Sequence, residues 1–80
     1  MITLKINKSD IRVCESTANV AVTKLDSESI NEIADLISSN NYVCKVIYDN
    51  TDNAIRLASL VGGEVTKKYD VLESYLNTFE

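Results

Sequence analysis

The side chains able to do chemistry here are carboxylates, two cysteines and four tyrosines, and the chain contains no histidine. Four acids crowd one stretch: Asp26, Glu28, Glu32 and Asp35. They fall at the head and along the polar side of a predicted helix. A surface of that kind suits a basic protein partner or mimics nucleic acid. Its plainer reading is a solvated helix face, with two of the acids near the favourable N-terminal end of the dipole. Asp49, Asp52 and Asn53 make a second polar patch on a strand-to-helix turn, where turn chemistry and N-capping account for them.

Nucleophilic catalysis of the Ser-His-Asp or Cys-His kind needs an imidazole base, which the sequence does not supply. Glycoside-type chemistry needs two carboxyls facing each other across a cleft, and no spacing here marks such a pair. Cys14 and Cys44 are too few for a disulfide framework and lack metal-ligand spacing. Each lies in an apolar, strand-like run and reads as a small buried hydrophobe. Tyr42, Tyr48, Tyr69 and Tyr75 have strand-core or helix-core neighbours, which predicts structural burial. The residues taken alone therefore assign no catalytic, metal or cofactor site.

Twelve acids against eight bases give a net charge of −4 and a pI near 4.7. Nucleic-acid binding requires a positive footprint, and the Lys67-Lys68 doublet is too small to be one. The opening MITLKINKSD lacks a basic region followed by an apolar core, so no secretory leader is predicted. No apolar run approaches the ~18 residues of a membrane span. The expectation is a soluble, cytoplasmic protein. Eighty residues predict one domain, 1–80. A chain of this size buries only about 60–65% of its unfolded surface, so its core is thin.

Local patterns order the elements that must position these residues. Ile2, Leu4 and Ile6 alternate with polar residues as a half-buried strand does, and Lys8-Ser9-Asp10 reads as a turn. Ile11, Val13 and Cys14 predict a second short strand, and Asn19–Leu25 a third, giving an antiparallel meander. Asp26 or Ser27 can cap a helix of about fourteen residues, whose apolar stripe is Ile30, Ile33, Ala34 and Ile37. Asn40 and Asn41 suit a left-handed stop. Tyr42–Tyr48 is a nearly continuous run of β-formers, as expected of a strand covered on both faces. Thr51–Val61 predicts a helix facing inward through Ala54, Leu57, Ala58 and Val61, with Ile55 widening that face. Gly62 stands at its left-handed end. A strand over Glu64–Tyr69 and a short C-terminal helix with a Leu72, Tyr75, Leu76, Phe79 stripe complete the order β-β-β-α-β-α-β-α. That last stripe suits either the domain's own core or a second copy in a homodimer.

The fold class is thus α/β (α+β), with antiparallel N-terminal strands followed by α-β-α-β. Residues 19–70, and most tightly Asn50–Val65, resemble the C-terminal half of the GNAT family of N-acetyltransferases. In the family an Asn precedes an Ala-Ile-Arg-Leu helix that ends in Gly, as it does here. The resemblance implies an acetyl-CoA pyrophosphate site between the third strand and the first helix. That segment is Thr23-Lys24-Leu25-Asp26-Ser27-Glu28-Ser29-Ile30. A phosphate site needs approachable backbone N–H groups and positive charge. This segment has no glycine, and Asp26 and Glu28 stand where phosphate would rest.

Two further departures concern the later helix. Ala58 occupies the position at which the family commonly has a proton-donating Tyr. Gly63 occupies the position of an aromatic. The family's first strand–helix unit, which covers the acceptor substrate, has no room in 80 residues. These departures predict a truncated, degenerate, phage-type relative that binds no cofactor. It would work as a non-catalytic protein-binding module, an inhibitor or regulator of a host protein in the host cytoplasm, through Asp26, Glu28, Glu32 and Asp35. The alternatives are a minimal acyl-CoA-dependent N-acetyltransferase and a structural or virion-associated subunit.

Overall fold

A computed structural model describes residues 2–49 and 51–66 together with Ser74 and Asn77. Strands β1 (Ile2–Ile6), β2 (Ser9–Cys14) and β3 (Asn19–Lys24) form the expected antiparallel meander. A 3-10 turn over Ser27–Ser29 leads into helix α1 (Ile30–Ser39). Strand β4 (Val43–Ile47) then pairs in parallel with β3, and helix α2 (Asp52–Val61) follows. The sheet order is β1-β2-β3-β4. Beyond α2 the chain returns along β4: Val65 bridges Ile47 in parallel, with Ile47 donating to the Glu64 carbonyl at 2.7 Å and Thr66 donating to the Ile47 carbonyl at 3.0 Å. The fold class is mixed α+β, as the periodicities predicted. The rest of the expected Glu64–Tyr69 strand and the apolar stripe of the C-terminal helix lie outside the described residues.

Both helices cover the same side of the sheet. Ile30, Ile33 and Ile37 of α1 and Ala54 and Leu57 of α2 share one core with Ile11, Val13, Val20, Val22, Cys44 and Ile47. Half-buried Leu4, Ile6, Ala34 and Leu36 pack against it. The opposite face carries a smaller cluster of Cys14, Ala21 and Val46, with Tyr48 against it. Strand alternation makes the two sets exclusive: neighbours along one strand point to opposite faces.

That alternation breaks once in β4. Val20 faces Cys44 but Ala21 faces Val46, so Lys45 is an extra residue, a β-bulge. The bulge lets Cys44 and Ile47, three apart, both enter the helix-side core. A second irregularity leaves Thr23 without a partner between the Asp10↔Lys24 and Ile11↔Val22 pairs, and its hydroxyl donates to the Asp10 carbonyl at 3.4 Å.

Several local expectations need correction. Ser9 and Asp10 belong to β2, and the turn is Asn7-Lys8, with Asn7 at φ 54°. Asn is one of the few non-glycine residues that visit this left-handed region routinely. The first helix is shorter than fourteen residues, and neither Asp26 nor Ser29 caps it through a side chain. Of the two stop residues, Asn41 takes the left-handed conformation (φ 56°) while Asn40 stays at φ −98° and donates its amide to the Leu36 carbonyl at 2.8 Å. Ile55 is 51% exposed and does not widen the inner face of α2. Thr51 holds the N-cap of α2 without a side-chain bond, so capping does not explain the Asp49, Asp52 and Asn53 patch.

Gly62 ends α2 at φ 69°, as predicted, and a Cβ there would meet open space. Gly63 is constrained differently. A Cβ on it would lie 3.1 Å from both the carbonyl oxygen and the Sγ of Cys44. Any side chain at this position would start in a tight contact that Cys44 would have to relieve by a few tenths of an ångström.

Burial pushes the Cys44 thiol up from 9.0 to about 11. Below pH 9 the thiol is protonated in folded and unfolded chains alike, and its stabilising contribution is complete. Between pH 9 and 11 the unfolded chain releases the proton while the folded one keeps it, so stability falls as pH rises. Two units correspond to a loss on the order of 2–3 kcal/mol by the upper end of that window. Urea titrations at pH 7, 9 and 10.5 should show this loss in the wild-type protein. In Cys44→Ala, less stable at neutral pH, the loss should be smaller by that amount.

Candidate functional site

The segment between β3 and α1 is where the resemblance would place a coenzyme, and its geometry follows from two serines. By strand parity Ser9 points to the helix side with Ile11 and Val13, and it is fully buried. A buried hydroxyl must find a partner. Ser9 Oγ accepts from the Asp26 backbone N–H at 2.6 Å. Ser29 is four residues before Ile33, hence on the inner face of the helix entry, and is also fully buried. Its hydroxyl donates to the Ile6 carbonyl at 3.2 Å and accepts from Asn7 Nδ2 at 2.9 Å. The Ser29 backbone N–H turns back onto the Asp26 carbonyl at 3.0 Å.

The β1–β2 turn is thereby clasped to the start of the first helix. Two backbone donors in the Asp26–Ser29 stretch are committed within the fold. At the sheet, Tyr48 N–H donates to the Val22 carbonyl at 3.0 Å, so β3 and β4 are bonded at their C-terminal ends. A pyrophosphate at this helix entry would meet committed N–H groups and the carboxylate of Glu28.

The four acids singled out in the sequence are partly gathered. Glu28, Glu32 and Asp35 are exposed and follow at i, i+4 and i+7, one ridge along the outer side of the 3-10 turn and α1. Asp26 departs from it: it is half-buried, and its backbone is held by Ser9. On α2, the other member of this helical layer, Ile55 and Leu60 are 51% and 55% exposed. The sequence pattern assigned Ile55 inward and did not single out Leu60. The outer surface of the helical layer therefore combines an acidic ridge with exposed apolar side chains.

The cysteines do not meet. Cys44 lies in the helix-side core and Cys14 on the other face of the sheet, and neither forms a disulfide. Cys14 closes β2 at a four-residue hairpin loop, where its Sγ lies 3.4 Å from Ser16 Oγ. The Ser16 hydroxyl, followed by that of Thr17, lowers the Cys14 thiol below its usual value. Tyr42 and Tyr48 are half-buried, the first against the helix-side core and the second against the opposite cluster. Tyr69 and Tyr75 lie outside the described residues. Among the described residues, no three metal-ligating side chains come together, and no helix is long and apolar enough to cross a membrane.

Ser9, Ser29 and Asn7 were not singled out in the sequence. The signal for Ser9 was its parity with Ile11 and Val13, and for Ser29 its helical spacing from Ile33. No family model, curated protein or solved structure matches this chain.

The clasp gives a direct expectation. Ser9→Ala removes the acceptor of a buried N–H and should cost about 1–3 kcal/mol in urea unfolding. Amide exchange at Asp26 and Ser29 should accelerate well before exchange in β2 and β3 does.

Proposed function

We propose that this chain is a non-catalytic protein-binding module, an inhibitor or regulator of another protein, which it contacts through the outer surface of its helical layer. One observation carries the reading: the acidic ridge Glu28, Glu32 and Asp35 shares that layer with the exposed apolar residues Ile55 and Leu60. Protein interfaces combine an apolar centre with a polar rim. Fixed negative charge adds steering toward a basic surface and discrimination against acidic ones. A net charge of −4 acts in the same sense. Asp26 contributes to the local potential but, being half-buried and clasped, is not a contact residue on this reading. The resemblance extends the proposal to a phage-encoded chain acting on a host factor, with the acetyltransferase-like topology as scaffold.

Affinity capture from host extract, read by mass spectrometry, tests the surface. The wild-type chain should retain one basic-faced protein, with retention falling as salt rises. Charge reversal by Glu28→Lys with Glu32→Lys should abolish capture while circular dichroism stays unchanged. Capture that survives this double reversal would remove the ridge as the contact. A second measurement separates this reading from an acyl-CoA-dependent enzyme. Millimolar acetyl-CoA should leave the thermal midpoint unmoved, and a saturable rise would favour the enzyme.

A further inference from the structure

The outermost strand turns a row of backbone groups away from the fold. Strand β1 ends the β1-β2-β3-β4 order, and among the described residues no segment pairs with its outer edge. The β4 edge is already taken in part, since Val65 bridges Ile47. The β1–β2 pairing closes on Ile6↔Ser9 across a two-residue turn, so that pair exchanges both backbone hydrogen bonds. Bonded pairs alternate from there, which turns the backbone groups of Leu4 and Ile2 toward Ile11 and Val13. Those of Thr3 and Lys5 therefore point outward, and both residues are exposed. Ile2, Leu4 and Ile6 fall on the helix side of the sheet, where Leu4 and Ile6 pack against the core and Ile2 is 40% exposed. Open donors and acceptors beside an apolar row form a template for another strand.

We propose that this edge pairs with the same edge of a second copy, antiparallel about a two-fold axis at Leu4. The register follows from what the edge carries. Outward-turned residues must meet outward-turned ones, which leaves Thr3, Leu4 and Lys5 as centres. Centring on Lys5 sets two ammonium groups directly opposite each other, and like charges so placed repel. Centring on Thr3 leaves Lys5 opposite no residue of the partner's β1. Centring on Leu4 pairs Thr3 with the partner's Lys5, and Lys5 with the partner's Thr3. All outward groups are then bonded, Leu4 meets its own counterpart, and exposed Ile2 meets the partner's Ile6. The edge is its own complement, as an isologous contact requires.

Lysine on an edge strand ordinarily discourages pairing. In this register it faces a hydroxyl instead of a charge. A two-fold axis perpendicular to the sheet preserves its faces, so the two four-stranded sheets become one with both helical layers on the same side. A seam this short falls below ~1,200 Å2, the range of weak, concentration-dependent association.

The test uses the full chain. Sedimentation equilibrium from micromolar to millimolar concentration should show monomer giving way to dimer. Thr3→Pro deletes an outward donor and spares the β1–β2 ladder, so it should abolish the dimer with circular dichroism unchanged. Thr3→Glu places a carboxylate opposite the partner's Lys5 and should lower the dissociation constant about tenfold, whereas Thr3→Lys should raise it about tenfold. Leu4→Cys should form an interchain disulfide on oxidation, because a non-hydrogen-bonded pair holds its Cα atoms about 4.5 Å apart. The wild-type chain, whose Cys14 and Cys44 are buried, should not. A monomer at every concentration, a dimer that survives Thr3→Pro, or weakening by both Thr3 charges would each overturn the proposal. Where Thr3→Pro unfolds the chain, the opposite responses to Thr3→Glu and Thr3→Lys decide.

Discussion

The hydroxyl of Ser9 accepting the Asp26 amide, beside that of Ser29 bridging Asn7 and the Ile6 carbonyl, joins the meander to the helical layer. Hydrophobic burial of α1 against the sheet is larger but non-directional, and it would tolerate a helix displaced along its groove. The clasp supplies position. Both hydroxyls are inaccessible to water, so any slip of the helix entry would strand polar groups in the core, where each costs on the order of 1–3 kcal/mol. The orientation of the Glu28, Glu32 and Asp35 ridge relative to the sheet depends on that anchoring.

The same constraint decides the chemistry of the β3–α1 entry. A helix N-terminus receives an anion because its first N–H groups are unpaired. Here a side chain from β2 and a backward 3-10 bond take up part of that set, and Glu28 adds charge of the wrong sign. On the reading proposed above, binding falls instead to the exposed helical surface. At the other end of the same topology, Gly63 lies so close to Cys44 that a side chain there would require Cys44 to give by a few tenths of an ångström.

Much of this was legible from residue order, and the parts that were not have identifiable causes. The meander, both helices, the existence of the fourth strand and the Gly62 terminus follow from period-2 and period-3.6 patterns that agree with one another. Ser9 was obscured because Lys8-Ser9-Asp10 has turn composition, and only its parity with Ile11 places it in the strand. The bulge at Lys45 scrambles alternation in β4, so Val43 looks like core although it is 49% exposed. Ile55 shows the limit of apolarity as a guide: next to Ala54 and Leu57 it seems to extend their stripe, yet the sheet beneath α2 reaches only the first two. Of the candidate contact residues, the ridge was readable from i, i+4, i+7 spacing. The separation of Asp26 from it was not, since that depends on a long-range bond to Ser9.

The change from antiparallel to parallel pairing at β3 has a consequence for the order of assembly. The first three strands are joined by loops of two and four residues, so their closure is entropically cheap. The β3–β4 and Ile47–Val65 pairings each wait on an intervening helix, and contacts of larger sequence separation form more slowly. A ribosome-bound chain would therefore present a finished hairpin pair long before its parallel half exists. Until α1 docks, the Ile11, Val13, Val20 and Val22 surface of that intermediate is the sticky one, and φ-values near zero at Leu57 beside higher ones at Val13 would mark this order.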